Sequence, residues 1–317
     1  MALLTVLLLV AVMSVVAVAV LDDVRFSVRR AVNAQAGSQA QWYADGAETL
    51  ARRQISRLTA DGVERTPLAP AWHGRALVLP IEGGRVRAVV RDGQACFNLN
   101  SVAVWTGDRL AARPGAADQL LALGAALGIE AGRMRIIADS LIDWIDSDAA
   151  ARPHGAEDSV YALRPEPYRT AGAPLAEVSE LRAVRGVDAT AYRRLRPHLC
   201  ALPTDRSLIN VNTLEQADAP LVTMLSGGAL GPEAAQAVIA GRPATGWPDA
   251  AAFWSQPALR RIAPTPEARG QVTVRTDYFD VRIDVERGGT RAVRTALIQA
   301  RPGAAAVTVI RRLTAED

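Results

Sequence analysis

The sequence opens with MALLTVLLLVAVMSVVAVAVL, residues 1–21, in which no side chain is charged and only Thr5 and Ser14 carry hydroxyl groups. As an α-helix this segment would be about 31 Å long at about 1.5 Å per residue, which matches the ~30 Å hydrocarbon core of a bilayer. A cleaved secretory signal has a shorter apolar region behind a basic start. Here no basic residue precedes the segment, and Asp22 and Asp23 end it. We therefore predict that residues 1–21 form a retained transmembrane helix.

The two signals for membrane orientation disagree. Arg25, Arg29 and Arg30 follow the apolar segment, and by the positive-inside rule they would keep the rest of the chain in the cytoplasm. The two cysteines described below favour an exported domain instead. A short basic leader, removed upstream of Met1, would reconcile the two signals, and we expect such a leader.

The helical pattern continues beyond the apolar segment. Between residues 41 and 61 the apolar residues recur every three or four positions, at Tyr43, Ala47, Leu50, Ala51, Ile55 and Leu58. This spacing puts them on one face of a helix. Residues 1–60 are thus predicted to form one helix of about 90 Å at about 1.5 Å per residue. Its first third would lie in lipid and its last third would pack on a folded domain.

The pattern then changes to that of strands. Residues 76–81 and 86–90 flank the turn Glu82-Gly83-Gly84 and predict a hairpin, followed by a short strand at 96–100. Alternation of apolar and polar residues, as at Val281, Ile283 and Val285, predicts a half-buried antiparallel sheet near the end of the chain. The predicted strands there are Gln271–Asp277, Phe279–Val285, Ala292–Gln299 and Ala306–Arg311.

Helical patterns occupy the region between these two groups of strands. They occur at Ala116–Leu127, Arg133–Ser147, Leu175–Arg185, Ala189–Leu199, Glu215–Leu225, Pro232–Gly241 and Asp249–Ser255. We predict an α+β fold in which residues 22–100 and 271–317 form a helix-and-sheet domain. Residues 101–270 form a large all-α domain inserted into the sheet.

Composition excludes several classes of function. The chain has 317 residues, of which 50% are hydrophobic and 22% charged, as in globular proteins rather than disordered ones. All 36 basic residues are arginine, against 33 acidic ones, so mechanisms that need lysine, such as the P-loop or a Schiff base, are excluded. The sequence lacks G-x-S-x-G and H-E-x-x-H motifs. It is predicted not to be an enzyme.

An acidic cluster is the main candidate for bound-metal chemistry. Asp139, Asp143 and Asp146 have the spacing i, i+4, i+7, which puts three carboxylates on one helix face. Carboxylates that converge without a nearby arginine repel one another unless a cation joins them, and dense oxygen ligands favour Ca²⁺. The alternative is a solvated acidic helix face whose aspartates act as caps. The candidate calcium ligands are Asp139, Asp143, Asp146, Asp148, Glu157 and Asp158.

Cys96 and Cys200 are the two cysteines of the chain, and no C-x-x-C spacing links them. In an exported domain they suggest a disulfide, which would stabilise the fold by about 4–5 kcal/mol in the chain-entropy model. The alternative is two independent buried thiols. Zinc is disfavoured because His73, His154 and His198 lack ligand spacing.

Residues 209–255 resemble helix-hairpin-helix segments, which bind nucleic-acid backbones through amides and nearby basic side chains. Arg242 is the one basic residue between 208 and 255, among several acidic ones. The positive charge that DNA binding requires is missing, so no nucleic-acid partner is expected. A membrane-anchored, exported DNA-binding adaptor remains the alternative function.

Together, several motifs resemble the general secretion pathway protein K family, the minor pseudopilins of the type II secretion system. The matching stretches are residues 1–6, Cys96–Asn100, Asp139–Asp148, Gly155–Asp158, Pro174–Arg182, Leu199–Pro203 and Ile209–Thr213. The resemblance implies a type IV pilin-like fold with the helical domain inserted, and Met1 as a methylated mature N-terminus. It also implies calcium in the helical domain, an inner-membrane anchor, a periplasmic globular part, other minor pseudopilins as partners and no small-molecule substrate.

Thr5 bears on the place of such a subunit in a fibre. Major pilins, which this family resembles, carry Glu at mature position five, where it neutralises the N-terminal amine of a neighbour. With Thr5 there, this chain could not offset another subunit's buried ammonium, and an unpaired buried charge is costly. The resemblance and Thr5 therefore predict a subunit at the fibre tip, which initiates or caps assembly.

Overall fold

The computed structural model describes residues 2–60, 64–69 and 71–312, and Met1 lies outside them. The described α-helices are α1 (Ala2–Leu58), α2 (Ala116–Ala126), α3 (Ala131–Ile145), α4 (Asp158–Tyr161), α5 (Ala189–Leu195), α6 (Ala219–Leu225), α7 (Pro232–Ala240), α8 (Ala250–Trp254) and α9 (Pro266–Gln271). The described strands are β1 (Ala76–Ile81), β2 (Gly84–Asp92), β3 (Phe97–Asn98), β4 (Ala103–Thr106), β5 (Arg109–Ala112), β6 (Leu199–Cys200), β7 (Ile209–Asn210), β8 (Val272–Thr273), β9 (Tyr278–Arg287), β10 (Thr290–Gln299) and β11 (Val307–Arg312).

A five-stranded antiparallel sheet, hereafter the main sheet, has the strand order β1-β2-β9-β10-β11. The β1–β2 turn needs glycine, since Gly83 has φ +74° and a Cβ on Gly84 would lie 1.8 Å from the carbonyl oxygen of Glu286. Val86 pairs with Val285, so apolar side chains of adjacent strands share one face. That face is the one covered by α1.

The long helix α1 is confirmed, and its second half packs on the main sheet. Its buried stripe consists of alanines and Ile55, which pack on Phe279, Val281, Ile283 and Val285. Small alanine side chains let the helix approach the sheet closely. Leu50, predicted to belong to this stripe, is 54% exposed. The stripe runs instead through Ala40, Ala44, Ala47, Ala51 and Ile55.

The first part of α1 has no packing partner within the chain. Among the described residues, α1 is the one helix long and apolar enough to cross a membrane, and none of its most apolar window is buried. Leucines and valines there stay more than half exposed. This is the arrangement expected of a helix whose solvent is lipid.

A buried ionic network fixes α1 on the sheet. Glu48 is 1% exposed, and its carboxylate accepts hydrogen bonds from Arg311 at 2.6 and 2.9 Å and from the Thr308 hydroxyl at 2.7 Å. Arg294 lies 3.5 Å from Glu48 and also pairs with Asp45. Each buried charge therefore has an opposite partner, as burial of ions requires.

The region between β2 and β9 forms a second core of its own. It is mainly helical but contains the β4–β5 hairpin.

The prediction that Gln271–Asp277 form a strand of the main sheet is wrong. Only Val272–Thr273 are extended, and they pair in parallel with Ile209–Asn210, away from the main sheet. Likewise, Leu175–Arg185 contains only a 3-10 turn at Val178–Ala183. The domain limits 101–270 stay a prediction.

The inserted region leaves and re-enters the main sheet at one end. Asp92 at the end of β2 lies opposite Phe279 near the start of β9. At the other end Gly84 lies opposite Arg287, whose guanidinium donates to Gln39 of α1 at 2.5 Å. Gln39 is the part of the sheet-bound helix nearest the apolar segment. The insertion is thus attached at the sheet end farthest from residues 2–21.

Candidate metal centre

The acidic cluster lies at the C-terminal end of α3 and in the loop that follows it. Asp143 is on the last turns of α3, and Asp146 ends the helix with its amide donating to the carbonyl of Ile142 at 2.9 Å. The neighbouring apolar residues Leu141, Ile142 and Ile145 are buried in the inserted core. Burial of this helix face brings the aspartates inside with it.

Three of the predicted ligands come together. Among the described residues, carboxylate oxygens of Asp146, Asp148 and Glu157 lie within 4.8 Å of one another. Asp146 and Glu157 are 4% and 6% exposed, whereas Asp148 is exposed. Oδ1 of Asp146 and Oε1 of Glu157 are buried without a hydrogen-bond partner. Hard oxygen donors with orphaned lone pairs fit a divalent cation such as Ca²⁺.

The electrostatics of the cluster favour neutralisation. The pKa of Asp146 is raised to about 7, chiefly by burial and then by the negative charges of Asp148 and Asp143, while the positive charge of Arg152 opposes the shift. Burial likewise raises the pKa of Glu157 to about 7, together with repulsion from Asp143, Asp146 and Asp148. Without a cation, these groups hold protons at a pH where exposed carboxylates are ionised.

Asp143 shapes the loop rather than facing the three-carboxylate group directly. Its carboxylate accepts a hydrogen bond from the amide of Arg152 at 3.1 Å. A Cβ on Gly155 would lie 1.9 Å from Asp143 Oδ2, so only glycine allows this approach. Burial raises the pKa of Asp143, although the amides of Arg152 and Ala156 oppose the shift.

Asp139 and Asp158 are engaged elsewhere. Asp139 pairs with the guanidinium of Arg152 at 3.1 Å and with Nδ1 of His154 at 3.2 Å. Asp158 accepts hydrogen bonds from the amide and hydroxyl of Thr170 at 2.8 and 2.9 Å. The premise that no arginine lies near the cluster is therefore wrong. Arg152 lies in a loop whose sequence has no periodic pattern, so its position beside Asp139 could not be predicted from the spacing of residues.

The predicted disulfide between Cys96 and Cys200 is present, with its Cα atoms 5.7 Å apart. Two asparagines reinforce it, because Asn98 Nδ2 donates to the carbonyl of Thr204 at 2.7 Å and Asn100 Nδ2 to that of Leu202 at 2.9 Å. The sequence does not predict these contacts, because asparagine is common in turns and its presence alone does not indicate a long-range hydrogen bond. Together they join the β3 region to the middle of the inserted region.

Two other residues considered in the sequence, Thr5 near the N-terminus and Arg242 in the helix-hairpin-helix-like stretch, make contacts within the fold. The hydroxyl of Thr5 donates to the carbonyl of Ala2 at 2.8 Å within α1, and Met1 lies outside the described residues. Arg242, the one base of the helix-hairpin-helix-like stretch, donates to the carbonyl of Leu214 at 2.6 Å. Its guanidinium thus already serves a contact within the fold.

Comparison with known proteins gives consistent matches. A family described as "Type II secretion system (T2SS), protein K" matches residues 95–204, and a second profile with the same description matches residues 209–275. Type II secretion system protein K of Klebsiella pneumoniae is 37% identical over 94% of this chain and 91% of its own. The Aeromonas hydrophila protein is 37% identical over 92% of this chain and 90% of its own.

A solved structure has the same fold. It is the crystal structure of the GspK-GspI-GspJ complex from the type 2 secretion system of enterotoxigenic Escherichia coli. Its matching chain superposes with a TM-score of 0.80 at 34% identity, covering 90% of this chain and 100% of that chain.

Proposed function

Because the chain belongs to the type II secretion system protein K family, we propose that it is the minor pseudopilin at the tip of the pseudopilus. There it initiates or caps a fibre that exports folded proteins across the outer membrane. It acts by assembly rather than by catalysis.

The position of the inserted region is the observation that carries the tip assignment. It is attached at the sheet end that holds Asp92 and Phe279, opposite the end where Arg287 contacts Gln39. In a fibre whose core is made of N-terminal helices, that end points away from the membrane. A bulky domain there leaves no room for another subunit to stack above this one.

Thr5 supports the same position. In the fibre core a subunit ahead of this one would bring its N-terminal ammonium beside Thr5, whose hydroxyl already donates to the carbonyl of Ala2. A hydroxyl cannot neutralise an ammonium, and a buried unpaired charge costs several kcal/mol, on the order of 3–5. A subunit without a carboxylate at this position is tolerated where no other subunit precedes it.

The partners we propose are two other minor pseudopilins. The crystal structure with the same fold is a complex of GspK with GspI and GspJ. By analogy this chain would assemble through α1 and the main sheet with the corresponding subunits. We place α1 across the inner membrane and the globular part in the periplasm, a compartment in which the Cys96–Cys200 disulfide persists.

Calcium has a structural role in this proposal. Asp146, Asp148 and Glu157 would hold the ion, and Asp143 positions their loop. Bound there, Ca²⁺ supplies positive charge that offsets the repulsion of the carboxylates and ties the end of α3 to the segment before α4. The ion would thereby rigidify the inserted region that caps the tip.

Co-purification from membranes tests the assembly. The tagged full-length chain, co-expressed with candidate minor pseudopilins, should carry two of them through affinity and size-exclusion steps as a stoichiometric complex. A major pseudopilin expressed in the same cells serves as the control and should not be retained. Recovery of this chain alone would overturn the proposal. Salt-sensitive, nanomolar-range DNA binding by the full chain in a gel-shift assay would instead favour the DNA-binding adaptor.

A further inference from the structure

The outer face of the main sheet, which does not contact α1, contains a pocket lined mainly by arginine. Its volume is about 330 Å³. Strands β2, β9 and β11 and the turn after α5 contribute its charged side chains, which are Arg87, Arg91, Arg196, Arg282, Arg312 and Asp280. We call this set the arginine pocket.

Part of this positive charge is neutralised within the fold. Arg312 Nε lies 2.5 Å from a carboxylate oxygen of Glu177. Arg282 Nε lies 3.1 Å from Asp284, and a guanidinium nitrogen of Arg87 lies 4.0 Å from the same carboxylate. These pairs place a negative charge beside three of the guanidinium groups.

The remaining charge is not neutralised. Across residues 2–60, 64–69 and 71–312, no carboxylate lies within 4.0 Å of the guanidinium of Arg91 or Arg196, and both side chains are exposed. Asp280 also lines the pocket, and its carboxylate interacts electrostatically with Arg91 and Arg196 as well as with Arg312 and Arg282. Clustered like charges repel, so the arginine pocket is complementary to an anion.

Two parts of the fold build the pocket. Arg91 and Arg282 lie on the main sheet, whereas Arg196 lies in the 3-10 turn that follows α5 in the inserted region. His198 and Leu199, just after Arg196, are buried and hold that turn in place. Thr295 adds a hydroxyl to the lining. The anion would therefore bind at the junction of the sheet and the insertion.

The distance of the pocket from the apolar segment favours a protein over a lipid headgroup as the occupant. Leu21 ends the apolar segment and Gln39 contacts Arg287 of β9, so about 27 Å of helix separates Leu21 from Gln39 at about 1.5 Å per residue. From Arg287, which contacts Gln39, the strand runs about 23 Å to Asp280 at about 3.3 Å per residue. Asp280, which lines the arginine pocket, is thus about 50 Å along these two elements from the end of the apolar segment.

We propose that the arginine pocket binds an acidic segment of a partner protein, through two or more carboxylate side chains. Arginine guanidinium groups pair with carboxylates in a bidentate fork, which lysine cannot do. The pocket volume is at the small end for ligand sites, which suits one or two acidic side chains better than a large ligand. The choice of a protein as the source of the carboxylates rests on the proposed function, whereas the anion pocket itself does not.

Binding of a synthetic acidic peptide tests the pocket directly. The full-length chain in detergent micelles is titrated into a fluorescein-labelled peptide of sequence GEEDEG, and anisotropy gives the affinity. The double variant R91Q/R196Q should lose about tenfold or more in affinity, since two charge-assisted contacts disappear. The matched variant R260Q/R261Q removes two exposed arginines outside the pocket and should change affinity by less than about twofold. Equal affinity of the wild type and R91Q/R196Q would overturn the proposal.

A charge reversal separates loss of the site from loss of the fold. The variant R91E/R196E should lose the acidic peptide and gain affinity for the basic peptide GRRKRG by about tenfold over the wild type. A variant that binds neither peptide but unfolds at the wild-type temperature would contradict the proposal.

Other occupants are outcomes of the same assay. Inorganic phosphate that displaces the peptide at the peptide's own concentration would show a site for a small anion and overturn the proposal, as would tighter binding to vesicles of phosphatidylglycerol. Glu316 and Asp317 follow Arg312 closely in the sequence, so the titration is repeated with a chain that ends at Arg312. Peptide binding that appears only in the shortened chain would make the chain's own end the occupant. Since this assay contains no other pseudopilin, its failure leaves the co-purification result unaffected.

Discussion

Single residues at the candidate metal centre carry charges that the fold alone does not neutralise. Asp146 and Glu157 are buried with orphaned oxygens, close to Asp148. Arg152, which lies near these carboxylates, pairs with Asp139, and Arg169 lies beside Asp158. A cation is the simplest partner for the remaining carboxylates.

The first prediction concerns pH and calcium. The pKa values of Asp146 and Glu157 rise from 3.8 and 4.5 in their ordinary state to about 7 in the fold. Between these values the unfolded chain binds fewer protons than the folded one, so without a cation stability falls as pH rises from about 4 to about 7. Calcium at a hundredfold excess over Kd should restore about 2.7 kcal/mol, chiefly above pH ~7.

Thermal unfolding of the full chain with calcium or with a chelator measures this difference at each pH. The variant D146N/E157Q has nearly the same shape without the charges, and it should show neither the fall with pH nor the calcium response. An equal calcium response in this variant, or none in the wild type, would contradict the prediction.

The second prediction concerns Gly155, which has no ligand atom in its side chain. G155A would put a Cβ 1.9 Å from Asp143 Oδ2, so the Asp143 carboxylate and the loop must separate, and we expect Glu157 to move away from Asp146. We expect the calcium-dependent rise in melting temperature to disappear although every carboxylate remains. G270A is the matched control, since nothing lies within 4 Å of its new Cβ. It should keep the calcium response, and a full response in G155A would count against this account of the loop.

The site could be predicted from sequence only as far as residue type and spacing allow. The i, i+4, i+7 spacing predicts one shared helix face for Asp139, Asp143 and Asp146. In the structure the first two lie on α3, Asp146 caps it, and all three are buried, which the spacing did not predict. Which carboxylates meet depends on the path of residues 147–157, a loop without periodicity, so sequence spacing could not predict that Arg152 contacts Asp139 or that Gly155 lies against Asp143. The calcium ligands themselves stay a prediction.

Secondary-structure elements are held together by a few polar contacts in addition to apolar packing. The helix stripe on α1 is made mostly of alanine, which buries little area per residue. Glu48 and Arg294 therefore matter at the interface of α1 with β10 and β11, because their pairing fixes the position of the helix along the sheet.

The third prediction is that E48A destabilises the fold by about 3–5 kcal/mol, since it leaves buried Arg294 without part of its counter-charge. E286A removes a carboxylate that pairs with Arg85 at 2.7 Å on the exposed face, and should cost at most about 1 kcal/mol. Denaturant unfolding of both variants measures the two costs. Similar costs would show that the buried network does not fix α1.

The fourth prediction concerns the disulfide between Cys96 in the β2–β3 connection and Cys200 of β6. The double variant C96S/C200S should lose about 4–5 kcal/mol of stability in the chain-entropy model, because the unfolded chain is no longer cross-linked. Denaturant unfolding of the oxidised wild type, the reduced wild type and the variant gives this difference. The reduced wild type should resemble the variant, and a reduced protein as stable as the oxidised one would contradict the prediction.

Long helices and strands could be predicted from their regular apolar pattern, whereas pairs of two-residue strands could not. The apolar pattern correctly gave α1 and the strands of the main sheet, because ten-residue strands such as β9 and β10 alternate clearly. The parallel pairs β3–β6 and β7–β8 span two residues each. Two residues carry no period, so the strand expected over Gln271–Asp277 was assigned to the wrong sheet.

The parts of the molecule follow one another along its length. Its apolar helix segment lies at one end, the main sheet in the middle and the inserted region at the sheet end beyond it. If the proposed function is correct, a subunit of this shape receives other subunits below it, and the inserted region blocks the addition of one above it. The sequence also predicts a nested arrangement, with strand patterns on both sides of the helical region in one sheet, and β2 does pair with β9 across that region.

The central claim, that this chain sits at the tip, is tested most directly by immunogold electron microscopy of pseudopili containing an epitope-tagged full-length chain. The matched variant T5E, which gains the carboxylate that a shaft subunit needs, should let some label enter the shaft. For the wild type we predict gold at one end of each fibre and none along its length. Gold distributed along the shaft of wild-type fibres would contradict the claim.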